Sequence, residues 1–174
     1  MSDDGRFDRV VLPHLDAAYT LARYLTRDSS DAEDAIQESI LRAVRYFHTL
    51  RNDTGARAWL LAIVRRECYG GRQQRVDTVA FDDVPEHQLV DQGDQPDIVA
   101  GRSLLQHRLR EAVAALPDGL REALILRELQ QCSYDEIATI TDVPLGTVMS
   151  RLSRARARLA TSLGGLEAFN EEYE

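Results

Sequence analysis

The chain has 174 residues, enough for one ordinary domain or two small ones, and 44% of them are hydrophobic. No apolar run approaches the roughly 18 residues of a membrane span, and the start Met1-Ser2-Asp3-Asp4 does not have the pattern of a secretory signal, so we expect a cytoplasmic protein without direct membrane insertion. The formal net charge of −8 excludes a uniformly basic nucleic-acid binder and makes the distribution of charge the informative quantity.

Three amphipathic patterns predict a small helical domain over residues 6–75. The helices are expected at about 13–27, 32–47 and 56–72, the second of them capped by Ser30 or Asp31. The side chains predicted to be buried follow helical spacing. They are Leu15, Ala18, Ala22, Leu25, Ile36, Ile40, Val44, Phe47, Trp59, Leu60 and Ile63. We interpret Trp59 as a core residue rather than a stacking platform for a base.

The second predicted helix has an outward face that suits a protein partner. Its outward residues are Asp34, Gln37, Glu38, Leu41, Arg42 and Arg45. An exposed leucine ringed by an amide and carboxylates is typical of an interface. An ordinary solvated face is the alternative.

The third predicted helix carries a line of positive charge. Opposite Trp59 and Ile63 lie Arg57, Arg65, Arg72 and Arg75. Such a line can follow the phosphates of a nucleic-acid backbone. The short polar loop before this helix contains Asn52, Asp53 and Thr54.

Residues 76–101 separate this domain from the rest of the chain. They hold seven carboxylates and no Lys or Arg, and Pro85, Gly93 and Pro96 interrupt any helical period. Such a composition cannot bury enough apolar surface to offset chain entropy. We therefore expect an acidic flexible linker.

The C-terminal part predicts a second helical domain over residues 102–163. One helix carries Leu105, Leu109, Val113 and Leu116 and is stopped by Pro117, and another spans about 120–129. No strand-like alternation of useful length occurs, so the predicted fold class is all-α with two small helical domains. Residues 164–174 form an acidic tail.

Residues 133–159 have the pattern of a helix-turn-helix. Asp142 falls at the tight turn, where it tolerates a left-handed backbone, and Pro144 opens the second helix. Val148, Leu152, Ala155 and Leu159 form one buried stripe of that helix.

The opposite side of the second helix carries hydroxyls and guanidinium groups, which suit base edges and phosphates in a major groove. The residues expected to contact DNA are Thr147, Met149, Ser150, Arg151, Ser153, Arg154, Arg156 and Arg158. An amphipathic surface helix with solvated arginines is the alternative. The helix-turn-helix context favours DNA binding.

The sequence offers no support for an enzyme or a metal site. Cys68 and Cys132 have no CxxC partner, the four histidines are scattered, and no Gly-rich phosphate loop or nucleophile-base arrangement occurs. We therefore expect no catalytic residues, no metal and no cofactor, with both thiols free and buried.

Several motifs in order resemble the extracytoplasmic-function (ECF) group of the sigma-70 family of bacterial RNA polymerase sigma factors. They lie at residues 32–38 (AEDAIQE), 57–65 (RAWLLAIVR), 116–124, 134–138 (YDEIA) and 144–156 (PLGTVMSRLSRAR). They cover nearly the whole chain outside the linker and the termini.

The resemblance implies a role for each domain. The N-terminal domain would bind the clamp helices of core polymerase through Asp34, Gln37, Glu38 and Leu41, and would recognise and open the −10 element. In the −10 region the residues implied are Asn52, Asp53, Thr54, Arg57, Arg65, Arg72 and Arg75. The C-terminal domain would recognise the −35 element. Regulation by an anti-sigma factor, helical and linked to the membrane, is also implied.

The chain departs from the family pattern at three positions. Met149 stands where relatives usually have Lys or Arg, Asp142 where glycine is common, and Arg66 where Asn is frequent. These changes bear on promoter preference rather than on the fold. A stand-alone helix-turn-helix repressor remains the alternative function, although no dimerisation surface is evident in the sequence.

Overall fold

The computed structural model describes residues 3–26, 28–73 and 100–164. In this part of the chain there are α-helices and three short 3-10 turns, and no strand, which confirms the all-α prediction. The helices are α1 (Asp3–Val10), α2 (Leu15–Leu25), α3 (Ser29–Tyr46), α4 (Ala56–Gln73), α5 (Ala100–Ala114), α6 (Asp118–Glu128), α7 (Tyr134–Thr141) and α8 (Leu145–Leu163). None of them is long and apolar enough to cross a membrane.

The helices α1 to α4 form the N-terminal domain. α2, α3 and α4 pack on one another, and Leu21, Leu60 and Leu61 are fully buried between them. Phe47 closes one end of this core, with its ring 5.2 Å from Phe7 and 6.4 Å from Trp59, both edge-on. Trp59 is therefore a core residue, as its sequence context indicated.

Helix α3 begins earlier and packs on a different stripe than the sequence predicted. Its N-cap is Asp28, whose carboxylate accepts from the amide of Asp31 at 2.8 Å, so the expected caps Ser30 and Asp31 were wrong. The buried stripe consists of Ala32, Ala35, Ser39 and Ala43. Small residues let the neighbouring helices approach closely, which leaves Val44 57% exposed rather than inside.

The helices α5 to α8 form the C-terminal domain. α6 and α8 pack together, α7 lies against both, and α5 packs on α8. Val113 and Leu116 of the predicted first apolar stripe are buried, whereas Leu105 and Leu109 are 45% and 43% exposed. The predicted linker and acidic tail fall almost entirely outside the described residues.

The two domains touch each other directly. α2 packs on α6, and α4 packs on α7. As a result α6 is covered on both sides, and residues 122–126 are buried without interruption. That burial includes the carboxylate of Glu122, which is 1% exposed.

Candidate nucleic-acid interface

The helix-turn-helix is built by two local devices. Ser133 and Glu136 form a capping box at the start of α7: the serine hydroxyl accepts from the Glu136 amide at 3.1 Å, and the glutamate accepts from the Ser133 amide at 2.7 Å. At the other end Asp142 adopts the left-handed conformation (φ 55°), as its sequence position indicated. The capping box defines where α7 begins, and the left-handed Asp142 ends it at the turn that leads to α8.

Helix α8 buries one stripe and exposes the opposite one. Val148, Leu152 and Ala155 are buried and Leu159 is half-buried, in agreement with the sequence pattern. Of the residues expected at the −35 element, Thr147 and Arg151 are half-buried and the other six are exposed: Met149, Ser150, Ser153, Arg154, Arg156 and Arg158. Hydroxyls and guanidinium groups are thus brought together on one surface.

Two arginines of α8 also contact α6. Arg151 is half-buried beside Gly119, where an added Cβ would lie 3.1 Å from the Arg151 guanidinium carbon, so a side chain at residue 119 would require this guanidinium to shift. Arg156 donates to the Glu128 carboxylate at 2.8 Å. Its pKa is raised, first by this hydrogen bond and then by one to Tyr134. Arg151 is therefore packed against α6, a position that sequence spacing did not indicate, whereas the Arg156–Glu128 pair stays at the surface with side chains 49% and 52% exposed.

The polar loop before α4 is pre-ordered by its own side chains. The Asn52 side-chain oxygen accepts from the Gly55 amide at 2.9 Å and from the Thr54 hydroxyl at 3.0 Å. Asp53 forms an ion pair with Arg6 at 2.7 Å. All three predicted loop residues are exposed, and the backbone that carries them is fixed.

Two of the arginines predicted along α4 are engaged by the C-terminal domain in this arrangement. Arg57 donates to the backbone oxygen of Gln130 and, at 3.3 Å, to its side-chain oxygen. Arg65 forms an ion pair with Glu122. Arg72 lies on α4, but its side chain and the whole of Arg75 fall outside the described residues. Two of the four predicted arginines therefore contact the C-terminal domain.

Comparison with known proteins identifies the family. Residues 10–75 match the Sigma-70 region 2 family and residues 106–159 match the Sigma-70 region 4 family. The chain is 30% identical over 170 residues to the RNA polymerase sigma-H factor of Pseudomonas aeruginosa, covering 92% of this chain and 88% of the relative. It is 33% identical over 153 residues to the ECF RNA polymerase sigma-E factor of Haemophilus influenzae, covering 82% and 79%.

The chain belongs to the ECF group of the sigma-70 family.

Two solved structures resemble this sigma factor in fold. The sigma factor RpoE of Bartonella quintana, solved in complex with the anti-sigma factor NepR, matches with a TM-score of 0.70 and 27% identity, over 91% of this chain and 97% of that one. CnrH, solved with the cytosolic domain of CnrY, matches with a TM-score of 0.67 and 22% identity, over 94% and 91%. The second likeness shows the fold alone.

The face of α3 opposite its buried stripe is open in this sigma factor. Asp34, Gln37 and Glu38 are exposed, and Leu41 is 63% exposed. Val44, expected inside, lies on this open side and enlarges its apolar part. The face combines carboxylates, an amide and two large apolar side chains, as a protein-binding surface does.

Ionic contacts set the electrostatics around this α3 face. Arg42 is shared between Glu38 at 3.2 Å and Glu67 at 2.9 Å, which ties α3 to α4. Partial burial raises the pKa of Glu67, opposed by Arg42.

Burial shifts the pKa of several groups at the contact between the domains. Burial raises the pKa of Glu122, opposed by Arg65 and Arg151. Tyr69 has its pKa raised well beyond its ordinary range, mainly by burial and then by Glu122. Burial and then Arg57 lower the pKa of His14, and burial raises the pKa of Cys132. No local pattern predicts this cluster, because its members come together only where the two domains meet.

No group of three or more His, Cys, Asp or Glu side chains converges within residues 3–26, 28–73 and 100–164. In the same ranges Cys68 and Cys132 are buried and are not joined in a disulfide.

Proposed function

We propose that the chain directs RNA polymerase to specific promoters, with α8 recognising the −35 element and the N-terminal domain recognising and opening the −10 element. The observation that carries this proposal is one chain with two different surfaces. One is the hydroxyl-rich and arginine-rich side of α8, and the other is the mixed apolar and acidic face of α3. A stand-alone repressor would use the α8 surface to bind DNA but would have no role for the α3 face.

Within the −35 surface, different side chains have different tasks. Arg154 is exposed next to Ser150 and Ser153 and has the reach to bind a guanine edge with two hydrogen bonds. Arg158 is exposed one turn further along, towards the C-terminal end of α8, where a phosphate is the nearer target. Arg156 is also exposed towards that end and would contact a phosphate as well, whereas Arg151 is half-buried beside Gly119 of α6.

Within the −10 surface, the ordered loop of Asn52, Asp53 and Thr54 supplies polar groups for an extruded promoter base. Extrusion costs a few kcal/mol, which polar contacts to the exposed base edge offset. The arginines Arg57, Arg65, Arg72 and Arg75 would then hold the backbone phosphates. This role requires Arg57 and Arg65 to leave their contacts with the C-terminal domain.

The face of α3 is proposed to bind the clamp helices of core polymerase. Asp34, Gln37, Glu38 and Leu41 carry this interaction, and the exposed Val44 extends it. The chain acts in the cytoplasm as an initiation factor, without chemistry of its own.

Co-purification with core polymerase tests the proposed function. The parent chain is expected to form a stoichiometric complex with core enzyme and to give transcripts from promoters with matching −10 and −35 elements. A stand-alone repressor would bind duplex DNA without core enzyme and would not co-purify with it. Failure to bind core polymerase would contradict the proposal.

An anti-sigma partner is proposed for this chain as well. A solved relative, 27% identical, is held by the anti-sigma factor NepR in its crystals. We propose a helical partner, linked to the membrane, that covers parts of both domains and keeps the chain from promoters. Capture of such a partner from the native cell membrane fraction is the test, and any metal in the complex should belong to the partner.

The acidic segment between the domains has two candidate roles. It acts either as a tether that repulsion between its carboxylates keeps extended, or as a segment that enters a basic channel of polymerase towards the RNA exit path. Replacing its seven carboxylates by Asn and Gln at constant length separates them. Slower promoter escape supports the channel role, and unchanged initiation and escape support the tether.

A further inference from the structure

The first helix of the chain contacts the polar loop, residues 52–55, that the proposed function assigns to the −10 element. Arg6 of α1 donates two hydrogen bonds to Asp53, from Nε at 3.1 Å and from Nη2 at 2.7 Å. Both bonds end on the same carboxylate oxygen, Oδ1, so neither of them occupies Oδ2. The side chain of Asp53 is 49% exposed. The contact therefore holds the carboxylate in place through only one of its two oxygens.

Arg6 is held on its other side by the aromatic core. Its guanidinium carbon lies 4.9 Å from the centre of the Phe47 ring, and that ring packs edge-on against Phe7 of α1 and Trp59 of α4. A cation over an aromatic ring is attracted by the ring electrons. Arg6 is thus fixed between the core and the loop, which reduces the side-chain entropy cost that weakens most exposed ion pairs.

The other loop residues fix the backbone that carries Asp53. The side-chain oxygen of Asn52 accepts from the Gly55 amide and from the Thr54 hydroxyl, which uses both of its lone pairs. The NH2 group of Asn52 is a donor, and the carboxylate of Asp53 is an acceptor. The loop therefore carries a donor and an acceptor on consecutive residues, with a cation beside the acceptor.

A carboxylate without a cation at this place would oppose nucleic acid. Phosphates flank any base that the loop receives, and charges interact over about 8–10 Å at physiological ionic strength. Arg6 cancels the charge of Asp53 without removing its capacity to accept a hydrogen bond. The pair is thus compatible with a phosphate backbone, whereas Asp53 alone would repel it.

We propose that Arg6 is a positioning residue of the −10 loop: it holds Asp53 through Oδ1 so that Oδ2 accepts a hydrogen bond from the exocyclic amino group of the extruded base. Cytosine and adenine carry an amino group at this position, whereas thymine and guanine have a carbonyl oxygen there and would face the carboxylate as a second acceptor. The inference rests on the proposed function, in which this loop receives a promoter base. It adds the class of base and the residue of α1 that supports its selection.

Fork promoters test the inference, because their −10 element is already single-stranded and its bases can be varied one at a time. Holoenzyme containing the parent chain should prefer cytosine or adenine over thymine at one position by about tenfold, the equivalent of one hydrogen bond to a charged group. Arg6→Ala should remove most of this preference. Its affinity for duplex fragments that end upstream of the −10 element should stay at the parent's value.

Three further variants separate positioning from other effects of charge. Arg9→Ala is the matched control, since Arg9 is exposed on the same helix and the change in charge is identical; it should keep the parent's preference. Arg6→Lys, which restores a cation and a donor, should recover part of the preference. In an Asp53→Ala chain, Arg6→Ala should cause no further loss, because the two residues act through one hydrogen bond to the base.

Thermal melts distinguish positioning from a purely structural role. An exposed ion pair contributes little to stability, so the melting temperature of Arg6→Ala should stay close to that of the parent. A purely structural role predicts a lower melting temperature, with binding to duplex and fork promoters weakened alike. If Arg6→Ala loses helix content, Arg6→Met decides, because its side chain still packs on Phe47 but cannot donate to Asp53.

The outcomes distinguish this inference from the proposed function. If Asp53→Ala removes a base preference that Arg6→Ala leaves intact, or if thymine is preferred at that position, the positioning role is refuted while the −10 role of the loop stands. Equal losses for Arg6→Ala and Arg9→Ala would refute the positioning role as well. If the parent distinguishes no base at any −10 position, the proposed function fails first, and this inference fails with it.

Discussion

Tyr69→Phe should stabilise the chain with its two domains packed together, because the substitution removes a buried hydroxyl that has no hydrogen-bond partner. Leaving such a group unpaired costs about 1–3 kcal/mol. The phenylalanine ring still fills the site beneath the guanidinium of Arg65. We expect the free energy of unfolding to rise by about 1 kcal/mol, and the melting temperature to rise by about 2–4 °C for a chain of this size.

Thermal melts followed by circular dichroism measure this effect. Tyr46→Phe is the matched control: its ring is 47% exposed, so its stability should change by less than about 0.5 kcal/mol. In the Arg65→Gln variant, which weakens the contact between the domains, Tyr69→Phe should no longer raise the melting temperature, because water can then reach the Tyr69 hydroxyl. A lower melting temperature for Tyr69→Phe than for the parent would refute the reasoning, because the hydroxyl would then have a partner.

Three further predictions concern other surfaces of the chain. Gln37→Ala with Glu38→Ala should weaken core-polymerase binding at unchanged helix content, and parent-like affinity would contradict the assignment of the α3 face. Arg154→Ala should relax sequence choice at one −35 position, at a cost of about 1–3 kcal/mol, whereas Arg158→Ala should weaken binding nearly uniformly and reduce its salt dependence; identical profiles in a promoter library would refute this division. Burial raises the pKa of Glu122 in the folded chain above its ordinary value of 4.5. Protonation of Glu122 should therefore add to the free energy of unfolding as the pH falls through the raised pKa, and the effect should be complete below about 4.5, the pKa of the unfolded chain. In urea titrations, acidification should raise the free energy of unfolding less for Glu122→Gln than for the parent, and an equal rise would contradict this prediction.

Local sequence patterns predicted the secondary structure well where a local cause determines it. The helix-turn-helix was predicted from two local signals. One is the 3.6-residue period of α8, and the other is Asp142, a residue type that tolerates the left-handed conformation it adopts. The start of α3 was less predictable. Asp28, Ser30 and Asp31 can each act as an N-cap, and the structure uses Asp28.

The buried stripe of α3 shows a second limit of sequence reasoning. Hydropathy favours Ile36, Ile40 and Val44 as the inward residues, whereas the fully buried stripe facing the core consists of alanines and Ser39. Ser39 satisfies its hydroxyl within the helix by donating to the Ala35 oxygen at 2.6 Å. Ile36 and Ile40 flank this stripe and are partly buried, and only Val44 lies outward.

The functional surfaces differ in how far they could be predicted. The exposed side of α8 follows from helical geometry, so Ser150, Ser153 and Arg154 were placed correctly. The positions of Arg57 and Arg65 depend on residues more than 50 positions away. No local pattern encodes such a long-range pairing, and Glu122 gave no sign of being buried.

The direct packing of α6 on α2 has a thermodynamic consequence for the assembly of an initiation complex. Suppose that the two domains are separated in only a fraction of the free molecules. For a ligand that binds only the separated form, the apparent dissociation constant is then the intrinsic dissociation constant divided by that fraction. A ligand that opens the chain therefore strengthens the binding of the next one, and the coupling free energy is the same in either order. A partner that holds the two domains apart and a promoter bound along α4 would then favour each other, although their binding surfaces share no residue.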